Sequence, residues 1–389
     1  MKSILTKVLA AVLLLSTSAC VKVTFDEGNG GTVTPPVDPT SNVITGVISS
    51  SKFYAKGKWI LKGYVYVIDG ATVTFEAGCV VQSDVTEKGA LIIERGAKII
   101  ASGTKDNPIV FTSGKAISAR APGDWGGIIL LGKAPTNRPL DPAPVIEGGV
   151  GRQYGGTIPT DESGILRFVR IEYAGIAAEP GSEINGLTCG GVGSGTVVNH
   201  VEIVATLDDG IEFFGGSVNV QNALVYNHGD DGIDIDFNYS GTVNNFIVMH
   251  GGDTDEGLEI DGPEGTTNTS GLFTLKNGTI ISTDGKGSAA DLKSKAQGTI
   301  ENCSFAGYSG KYIKFRASFG DTTNCTSKSD AYAYFIAATP KLIVKNNDLG
   351  ASSLTAMASG YTASCVSCGC FDSAAETALD ALMATSGNA

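Results

Sequence analysis

Apolar and polar residues alternate along short stretches of the chain, and glycine or acidic turns end each stretch. The pattern is clear over residues 64–78 and 89–101, where apolar side chains recur at every second position. Alternation with a period of two predicts β-strands that bury one face. Because the stretches are short and closely spaced, the sequence predicts many short strands joined by tight turns.

Three of these stretches are copies of one motif. The copies begin at Leu207, Asp230 and Asp255, and each places an acidic residue before a glycine that is followed by alternating apolar and acidic residues. A repeat of 22 to 25 residues predicts coils of three short strands, stacked about 4.8 Å apart. The acidic residues before the three glycines are Asp209, Asp231 and Glu256.

A column of asparagines keeps nearly the same period. Asparagine is a poor strand former, but stacked asparagines hydrogen-bond between layers, so we interpret the column as a structural ladder at a turn. The two columns together predict an all-β, single-stranded right-handed parallel β-helix. The column comprises Asn199, Asn222, Asn245, Asn277, Asn302 and Asn324.

The N-terminal segment has the features of an export signal. Two lysines, a short apolar run and small residues lead to Cys20, so we expect a signal peptide over 1–19 and a lipidated Cys20. Ordinary cleavage that leaves Cys20 free or disulfide-bonded is the alternative. Residues 20–42, rich in glycine, proline and threonine, are expected to form a flexible tether. We therefore expect an outer-membrane lipoprotein, surface-exposed or periplasmic.

The remaining chain divides into a β-helix over 43–370 and a C-terminal tail over 371–389. Residues near 133–163 carry proline, glycine and aspartate without periodicity and are expected to form a long projecting loop. Residues 373–383 have helical spacing. Since the exposed end of a stack tends to aggregate, we interpret this tail as a short capping helix.

The net charge of −12 limits the partners. Nucleic-acid binding requires a basic surface, so we do not expect this protein to bind nucleic acid. Docking on anionic lipid is also disfavoured, so contact with a membrane is expected only through the lipid anchor. The protein is expected to be a monomer.

Seven cysteines follow Cys20. Cys303 and Cys325 each follow an asparagine of the column, so we expect them to lie on adjacent coils and form a disulfide. Cys79 and Cys189 are expected to be inert core residues. The pairing of the remaining cluster stays open, although export favours a local disulfide over a metal site without a fourth ligand. That cluster is Cys365, Cys368 and Cys370.

Acidic residues alternate with apolar ones after each repeat glycine. Since Ile233 and Ile235 must face the core, Asp234 and Asp236 face outward. Carboxylates stacked on successive coils repel each other by about 1–3 kcal/mol per pair at surface dielectrics, so the stack requires compensation. By the same count, the other outward acids are Glu212, Glu259 and Asp261.

Calcium is the candidate cofactor, because Ca²⁺ takes several carboxylate and carbonyl oxygens in flexible geometry. The alternative is that the turn acids cap backbone amides and the outward acids are solvated. Both interpretations stay open for the candidate ligands. These are the outward acids Glu212, Asp234, Asp236, Glu259 and Asp261, and the turn acids Asp209, Asp231 and Glu256.

Basic residues follow on the same face. The segments after the acidic copies place Lys293, Lys314 and Arg316 outward. Calcium beside such residues on a β-helix resembles polysaccharide lyases, in which the metal neutralises a uronate carboxylate and a basic residue removes the α-proton. The alternative is simple salt bridging, such as Asp261 with Lys293.

The histidines and Trp125 are further candidate site residues. The three histidines, His200, His228 and His250, do not fall in one column, so a three-histidine metal site is not expected. Trp125 is a candidate for stacking a sugar, and its alternative is packing beside the glycine pair that follows it.

Four segments together resemble a family of exported β-helix lipoproteins from Bacteroidota-type bacteria. They are TrpGlyGlyIleIleLeuLeuGlyLysAlaPro (125–135), IleGluGlyGly (146–149), LeuArgPheValArgIleGluTyrAlaGly (166–175) and AspAspGlyIleGluPhePheGlyGly (208–216). The resemblance implies a pectate-lyase-like fold and surface display. It implies no settled activity, because one fold carries many functions.

Three hypotheses about function follow. The first is a non-enzymatic envelope lipoprotein that binds Ca²⁺ and presents a β-helix face to a glycan or an envelope protein. The second is a Ca²⁺-dependent lyase acting on uronate-containing glycans, with Lys293, Lys314 or Arg316 in proton transfer. The third is a purely structural surface protein.

Overall fold

The structure is a computed structural model that describes residues 42–179, 182–252, 254–263, 267–310, 312–316, 318–321, 326–328, 331–335, 337–349 and 358–361. These residues belong to one compact unit that spans 35–389. The predictions for the signal peptide, Cys20 and its tether, the cluster of Cys365, Cys368 and Cys370, and the capping helix lie outside the described residues.

The described residues form short strands almost throughout, with a 3₁₀ turn at Ile117–Ala119 and one short helix, α1, at Ala331–Phe335. The strands are β1 Val43–Ile48, β2 Lys52–Tyr54, β3 Lys58–Val67, β4 Thr72–Phe75, β5 Val80–Ser83, β6 Leu91–Ile93, β7 Lys98–Ser102, β8 Ile109–Thr112, β9 Ile128–Leu131, β10 Gly164–Glu172, β11 Ala177–Glu179, β12 Ser182–Glu183, β13 Leu187–Gly190, β14 Val197–Val204, β15 Ile211–Phe214, β16 Asn219–Tyr226, β17 Ile233–Asp236, β18 Thr242–Met249, β19 Leu258–Ile260, β20 Phe273–Ile281, β21 Ala290–Leu292, β22 Gly298–Glu301, β23 Ser304–Ala306, β24 Ile313–Arg316, β25 Ser318–Asp321, β26 Thr326–Lys328, β27 Leu342–Lys345 and β28 Ala358–Tyr361.

Within the described residues, 24 of these strands form one continuous sheet, and each strand pairs with the equivalent strand one coil further along the chain. The pairing of β14 with β16, of β16 with β18 and of β18 with β20 is parallel and in register. This arrangement is a parallel β-helix, so the predicted fold is confirmed. The two small hairpins, β11–β12 and β25–β26, lie outside the continuous sheet.

Each coil contributes to three faces. The first, which we call the acidic face, contains β6, β9, β13, β15, β17, β19, β21 and β24. The long strands β10, β14, β16, β18 and β20 bend in the middle, so their first halves form the second face and their second halves form the third. The core fills the space between the three faces.

The bend is made by one residue per coil with a positive φ angle. Asn222, Asn245, Asn277 and Asn302 occupy it with φ between 55° and 58°, as expected for a residue that tolerates left-handed backbone. Side-chain amides link successive coils, since Asn222 Nδ2 donates to Asn199 Oδ1 at 2.9 Å and Asn245 Nδ2 donates to Asn222 Oδ1 at 2.5 Å.

Two members of the predicted asparagine column need correction. Asn199 pairs with Gln221 and therefore precedes the bend by one residue, while His200 occupies the bend itself with φ 55°. On the C-terminal side, Glu301 pairs with Lys345, so the bend residue after Asn302 is Asn346 rather than Asn324. Asn324 lies outside the described residues, in a segment that the period alone could not identify as an insertion.

The same insertion explains why the predicted Cys303–Cys325 disulfide is wrong. Cys303 is a free, buried thiol, and Asn347 Oδ1 of the next paired coil accepts its backbone N–H at 2.8 Å. Asn347 thus stands next to Cys303, and Cys325 lies outside the described residues. Cys79 and Cys189 are buried free thiols, as predicted.

The segment near 133–163 forms neither a strand nor a helix, as expected, but it does not project. It folds over the N-terminal part of the acidic face, where outward residues are apolar rather than acidic. There the segment buries its own apolar side chains and forms a second, smaller core. That core includes Ile92, Ile129 and Phe214 of the face and Ile146, Val150 and Tyr154 of the segment.

No helix in the described part of the chain is long and apolar enough to cross a membrane.

Candidate functional site

One outward position of the acidic face changes character from coil to coil. The register of successive strands aligns apolar residues first, then acids, then a base. The face therefore runs from apolar to acidic to basic along the axis, as the alignment of the repeats predicts. In order, this position is occupied by Ile92, Ile129, Thr188, Glu212, Asp234, Glu259, Asp291 and Lys314.

These acids point away from the helix core, yet several are buried, which the alternation pattern does not predict. Glu212 is 5% exposed and Asp291 is 1% exposed. The turn acids behave alike, with Asp209, Asp231 and Glu256 exposed by 6% or less. Removal of water from stacked carboxylates increases their repulsion, so each needs a partner, a proton or a cation.

The turn acids satisfy part of this need through the backbone. Asp209 Oδ1 accepts the N–H of Asp231 at 2.8 Å, and Asp231 Oδ1 accepts the N–H of Glu256 at 2.8 Å. At the two ends of this row of turn acids, Asn185 Oδ1 accepts the N–H of Asp209 at 3.2 Å, and Glu256 Oε1 accepts a hydrogen bond from the Ser288 hydroxyl at 3.0 Å. Backbone capping, the alternative interpretation, is thus present for one oxygen of Asp209 and one of Asp231. Glu256 instead accepts from the Ser288 hydroxyl and from Lys314.

A carboxylate cluster stands at the middle of the face. Oxygens of Asp209, Glu212 and Asp234 all lie within 4.8 Å of one another. Asp234 Oδ1 is buried and has no hydrogen-bond partner among the described residues. The segment over the face adds Glu147, whose carboxyl hydrogen-bonds with Glu212, and the Asn185 amide donates to the other side of Glu212. We refer to Glu147, Asp209, Glu212 and Asp234 as the carboxylate cluster.

Burial and mutual repulsion raise the pKa of each cluster acid on the β-helix. Burial, followed by the charge of Asp234, raises the pKa of Glu212 well above its ordinary value, and burial and Asp236 do the same for Asp234. The pKa of Asp209 is raised by burial and by Asp208. In the neighbouring turn, burial and Asp209 raise the pKa of Asp231 to about 11. Without a cation, the fully charged form of the cluster is therefore disfavoured.

A second group of carboxylates overlaps the cluster at the turn. Oxygens of Asp208, Asp209 and Asp230 lie within 4.8 Å of one another. Burial and Asp230 raise the pKa of Asp208 to about 7. Asp230 is exposed, so this second group meets solvent at that residue.

The C-terminal part of the face carries its own cations, and we call it the paired end. Lys293 pairs with Glu259 and lies 3.3 Å from Asp261 Oδ2. Lys314 pairs with Glu256 and lies 3.8 Å from Asp291 Oδ2. Arg316 completes this end by clamping Asp291, with Nε at 2.8 Å from Oδ1 and Nη2 at 2.5 Å from Oδ2.

The paired lysines are held in their charged form. Burial alone would lower the pKa of Lys293, but the carboxylates of Asp261 and Glu259 outweigh it and raise that pKa. The pKa of Lys314 is raised in the same way, mainly by Glu256. A general base must give up its proton near the working pH, so this geometry favours salt bridging over proton abstraction.

Two other candidates, Trp125 and Asp236, lie outside the carboxylate cluster. Trp125 is 1% exposed and its indole Nε1 donates to the Glu172 carbonyl at 2.8 Å. Its ring is not accessible to a sugar, so the ligand-binding prediction is wrong and the packing alternative holds. Asp236 is half-buried at the end of β17, where it pairs with Phe214 of the second, smaller core.

The histidines do not form a common site, as expected. His200 lies at the bend and stacks on Phe168 with ring centroids 4.3 Å apart. His228 and His250 are buried on neighbouring turns with centroids 5.1 Å apart, and His250 Nε2 lies 3.0 Å from the Tyr308 hydroxyl. Burial lowers the pKa of His228 to about 3 and that of His250 to about 4, so both rings are neutral.

Sequence reasoning missed Glu147 and Asn185. Both precede a glycine, in IleGluGly and IleAsnGly, and the second aligns with the acid and glycine of the repeat copies because Leu187 pairs with Ile211. The Asn185 position was detectable from this likeness to the repeat. Glu147 was not, because it comes from a segment without periodicity.

Comparison with known families and proteins agrees with the architecture. The family model of the pectate-lyase-like beta helix domain matches residues 46–357, which is most of the chain. Neither curated proteins nor solved structures give a match. The chain therefore belongs to the pectate-lyase-like beta helix domain family.

Proposed function

We propose that this protein is an exported, non-enzymatic β-helix lipoprotein that binds Ca²⁺ at its carboxylate cluster and presents its long faces to a glycan or an envelope protein. One observation carries the cation proposal. Oxygens of Asp209, Glu212 and Asp234 converge within 4.8 Å, and Asp234 Oδ1 is buried without a hydrogen-bond partner among the described residues. A bound cation would partner that oxygen and offset the repulsion of its neighbours.

The donor set favours Ca²⁺ over other ions. The cluster offers carboxylate oxygens from four residues, and Asn185 and Thr188 stand beside Glu212. No histidine or cysteine is among these donors, whereas Zn²⁺ and copper favour nitrogen and sulfur. The irregular spacing also suits the flexible coordination of Ca²⁺ better than the near-ideal octahedron of Mg²⁺.

Calorimetric titration of the protein with CaCl₂, after EDTA treatment, tests this proposal. We expect saturable binding with Ca²⁺ preferred over Mg²⁺, and we expect Asp234→Asn to abolish it. Asp106→Asn is the matched control, because it removes one carboxylate from an exposed pair with Lys105. Absence of Ca²⁺ binding to the wild-type protein would refute the cation proposal.

The absence of catalysis is a separate part of the proposal. It is supported by the ion pairs that keep Lys293, Lys314 and Arg316 bound to carboxylates. We expect no unsaturated product, measured by ultraviolet absorbance, when the protein is incubated with alginate, pectate or glycosaminoglycans and Ca²⁺. Product formed by the wild-type protein and lost in Lys314→Met would establish the lyase alternative instead.

The envelope location is supported by the N-terminal sequence alone. The apolar run, the small residues and Cys20 make up a lipoprotein-type export signal, and residues 20–42 would serve as a spacer. Metabolic labelling with a fatty acid should mark the full-length protein, and Cys20→Ser should remove the label. A labelled Cys20→Ser variant would contradict lipidation at this residue.

A further inference from the structure

A groove runs along the bend between the second and third faces, away from the acidic face. It has a volume of about 480 Å³. Its floor comes from the bend residues of four successive coils, and its sides carry the charged residues Lys105, Arg170 and Glu202. The lining includes Phe168, His200, Asn222, Asn245, Arg170 and Glu202.

Two coils break the rule for the bend residue. Asparagine makes the bend from Asn222 onward, whereas Phe168 and His200 make it with φ angles of 48° and 55°. A bulky residue such as phenylalanine is rarely found in left-handed backbone, and such outliers cluster at functional sites. The fold would be at least as well served by asparagine here, so the aromatic pair is kept at the expense of local backbone strain.

The groove offers both apolar and polar surface. The rings of Phe168 and His200 stack at 4.3 Å with 22° between their planes, and Ile247, which lines the groove two coils beyond His200, is 43% exposed. Asn222 and Asn245 add side-chain amides at successive coils. Sugars combine apolar ring faces with hydroxyl groups, so this mixture suits a carbohydrate.

The charges of the groove are already paired. Arg170 Nη1 lies 3.3 Å from Glu202 Oε2, and Lys105 Nζ lies 2.5 Å from Asp106 Oδ1. A charged ligand would have to compete with these contacts, whereas a neutral ligand would not. A peptide strand is also disfavoured, because the groove lies across paired parallel strands rather than along a sheet edge.

We propose that this groove binds a neutral linear glycan whose chain runs along the axis of the β-helix. Coils repeat about every 4.8 Å, so a linear polymer of similar repeat meets one bend residue per unit. Its apolar ring faces contact Phe168, His200 and Ile247, and its hydroxyls bond to the amides of Asn222 and Asn245. The inference rests on the glycan part of the proposed function, and it is independent of the cation.

The test uses neutral β-1,4-linked hexasaccharides of glucose, mannose, xylose and N-acetylglucosamine, with an oligogalacturonate hexamer as the anionic comparison. We expect at least one neutral hexasaccharide to bind the wild-type protein in calorimetric titration. The double variant Phe168→Asn, His200→Asn should weaken that binding at least about tenfold, since it removes apolar contact. The same variant should have an equal or higher Tm, because asparagine tolerates the positive φ angle.

Several results would overturn the inference. The first is a wild-type protein that binds none of the neutral hexasaccharides, and the second is one that binds only the oligogalacturonate. The third is a double variant that binds with full affinity. If the double variant lowers Tm, then Ile247→Ser decides, because this exposed position tolerates the change: weakened binding supports the groove, and full affinity refutes it.

Asp234→Asn separates this inference from the proposed function. Glycan binding should persist in this variant, and its loss would move the glycan to the acidic face. That outcome would refute the groove and leave the proposed function standing. A wild-type protein that binds the glycan but no Ca²⁺ would do the reverse, because only the cation proposal would fail.

Discussion

The carboxylate cluster and the paired end occupy the same face, stand on adjacent coils and both stack carboxylates, yet their carboxylates have different neighbours. At the paired end, the acids Glu259 and Asp291 contact Lys293 and Arg316 of the chain itself. In the cluster, Glu212 and Asp234 have acids as their main electrostatic neighbours. This difference shows that stacked acids alone do not identify a cation site. A cation site is expected where the chain does not supply its own counter-charge to the stacked acids.

The largest effect is expected when the paired end loses its counter-charge. Lys293→Met leaves Glu259 and Asp261 unpaired on a partly buried face, so we expect the free energy of unfolding to fall by about 2–4 kcal/mol. Urea denaturation measures this. Lys286→Met, which removes an exposed lysine, should change it by less than about 0.5 kcal/mol. Equal effects of the two variants would remove the distinction between the two ends.

In the carboxylate cluster, we expect a substitution to raise the free energy of unfolding rather than lower it. In EDTA at neutral pH, the folded protein must either protonate Asp234 or keep its charge against those of its neighbours, and both cost free energy. Asp234→Asn removes this cost and should stabilise the protein by about 1–2 kcal/mol. Asp291→Asn at the paired end should instead destabilise it, since Arg316 loses its carboxylate partner. Urea denaturation of both variants in EDTA compares them directly, and destabilisation by Asp234→Asn would contradict the unpaired state of the cluster.

The pH dependence of the cation-free protein follows from raised carboxyl pKa values. The folded-state pKa values of Asp208 and Glu256 are about 7, above those of unfolded chains, so the folded protein takes up protons first. Between pH 8 and about 6.5, Tm in EDTA should therefore rise as the pH falls, and excess Ca²⁺ should flatten this slope. Below about 6.5 the neutral, buried His228 and His250 act in the other direction, because unfolding lets them take up protons. A Tm in EDTA that falls steadily from pH 8 to 6.5 would contradict the carboxyl argument.

The smallest effect is expected for the residue that the segment over the face contributes. Glu147→Gln should weaken Ca²⁺ binding by about tenfold or less, and should change the unfolding free energy in EDTA by no more than about 0.5 kcal/mol. Calorimetry and urea denaturation measure the two quantities. Unchanged affinity would place Glu147 outside the cation site.

The fold was predictable because the repeat encodes it twice, in the acids before glycine and in the asparagines of the bend. Period-two alternation also determined which way Glu212, Asp234 and Glu259 point. The alignment of Lys293 and Lys314 with the acidic ladder followed from the same register.

What escaped prediction depends on segments without a repeat. The segment 133–163 packs over the face and supplies Glu147 beside Glu212, and neither fact has a periodic signal. A constant period placed Cys325 on the coil next to Cys303, whereas the strand that pairs with β22 is β27, because a constant period cannot distinguish an insertion from a coil. Trp125 shows a related limit, since its burial depends on the contact with Glu172 from a distant strand.

Anomalous diffraction from crystals grown with CaCl₂ tests the central claim most directly. The account predicts a Ca²⁺ peak among Asp209, Glu212 and Asp234, and none between Lys293 and Arg316 at the paired end. A face without a peak at the carboxylate cluster, or a peak at the paired end instead, would contradict it.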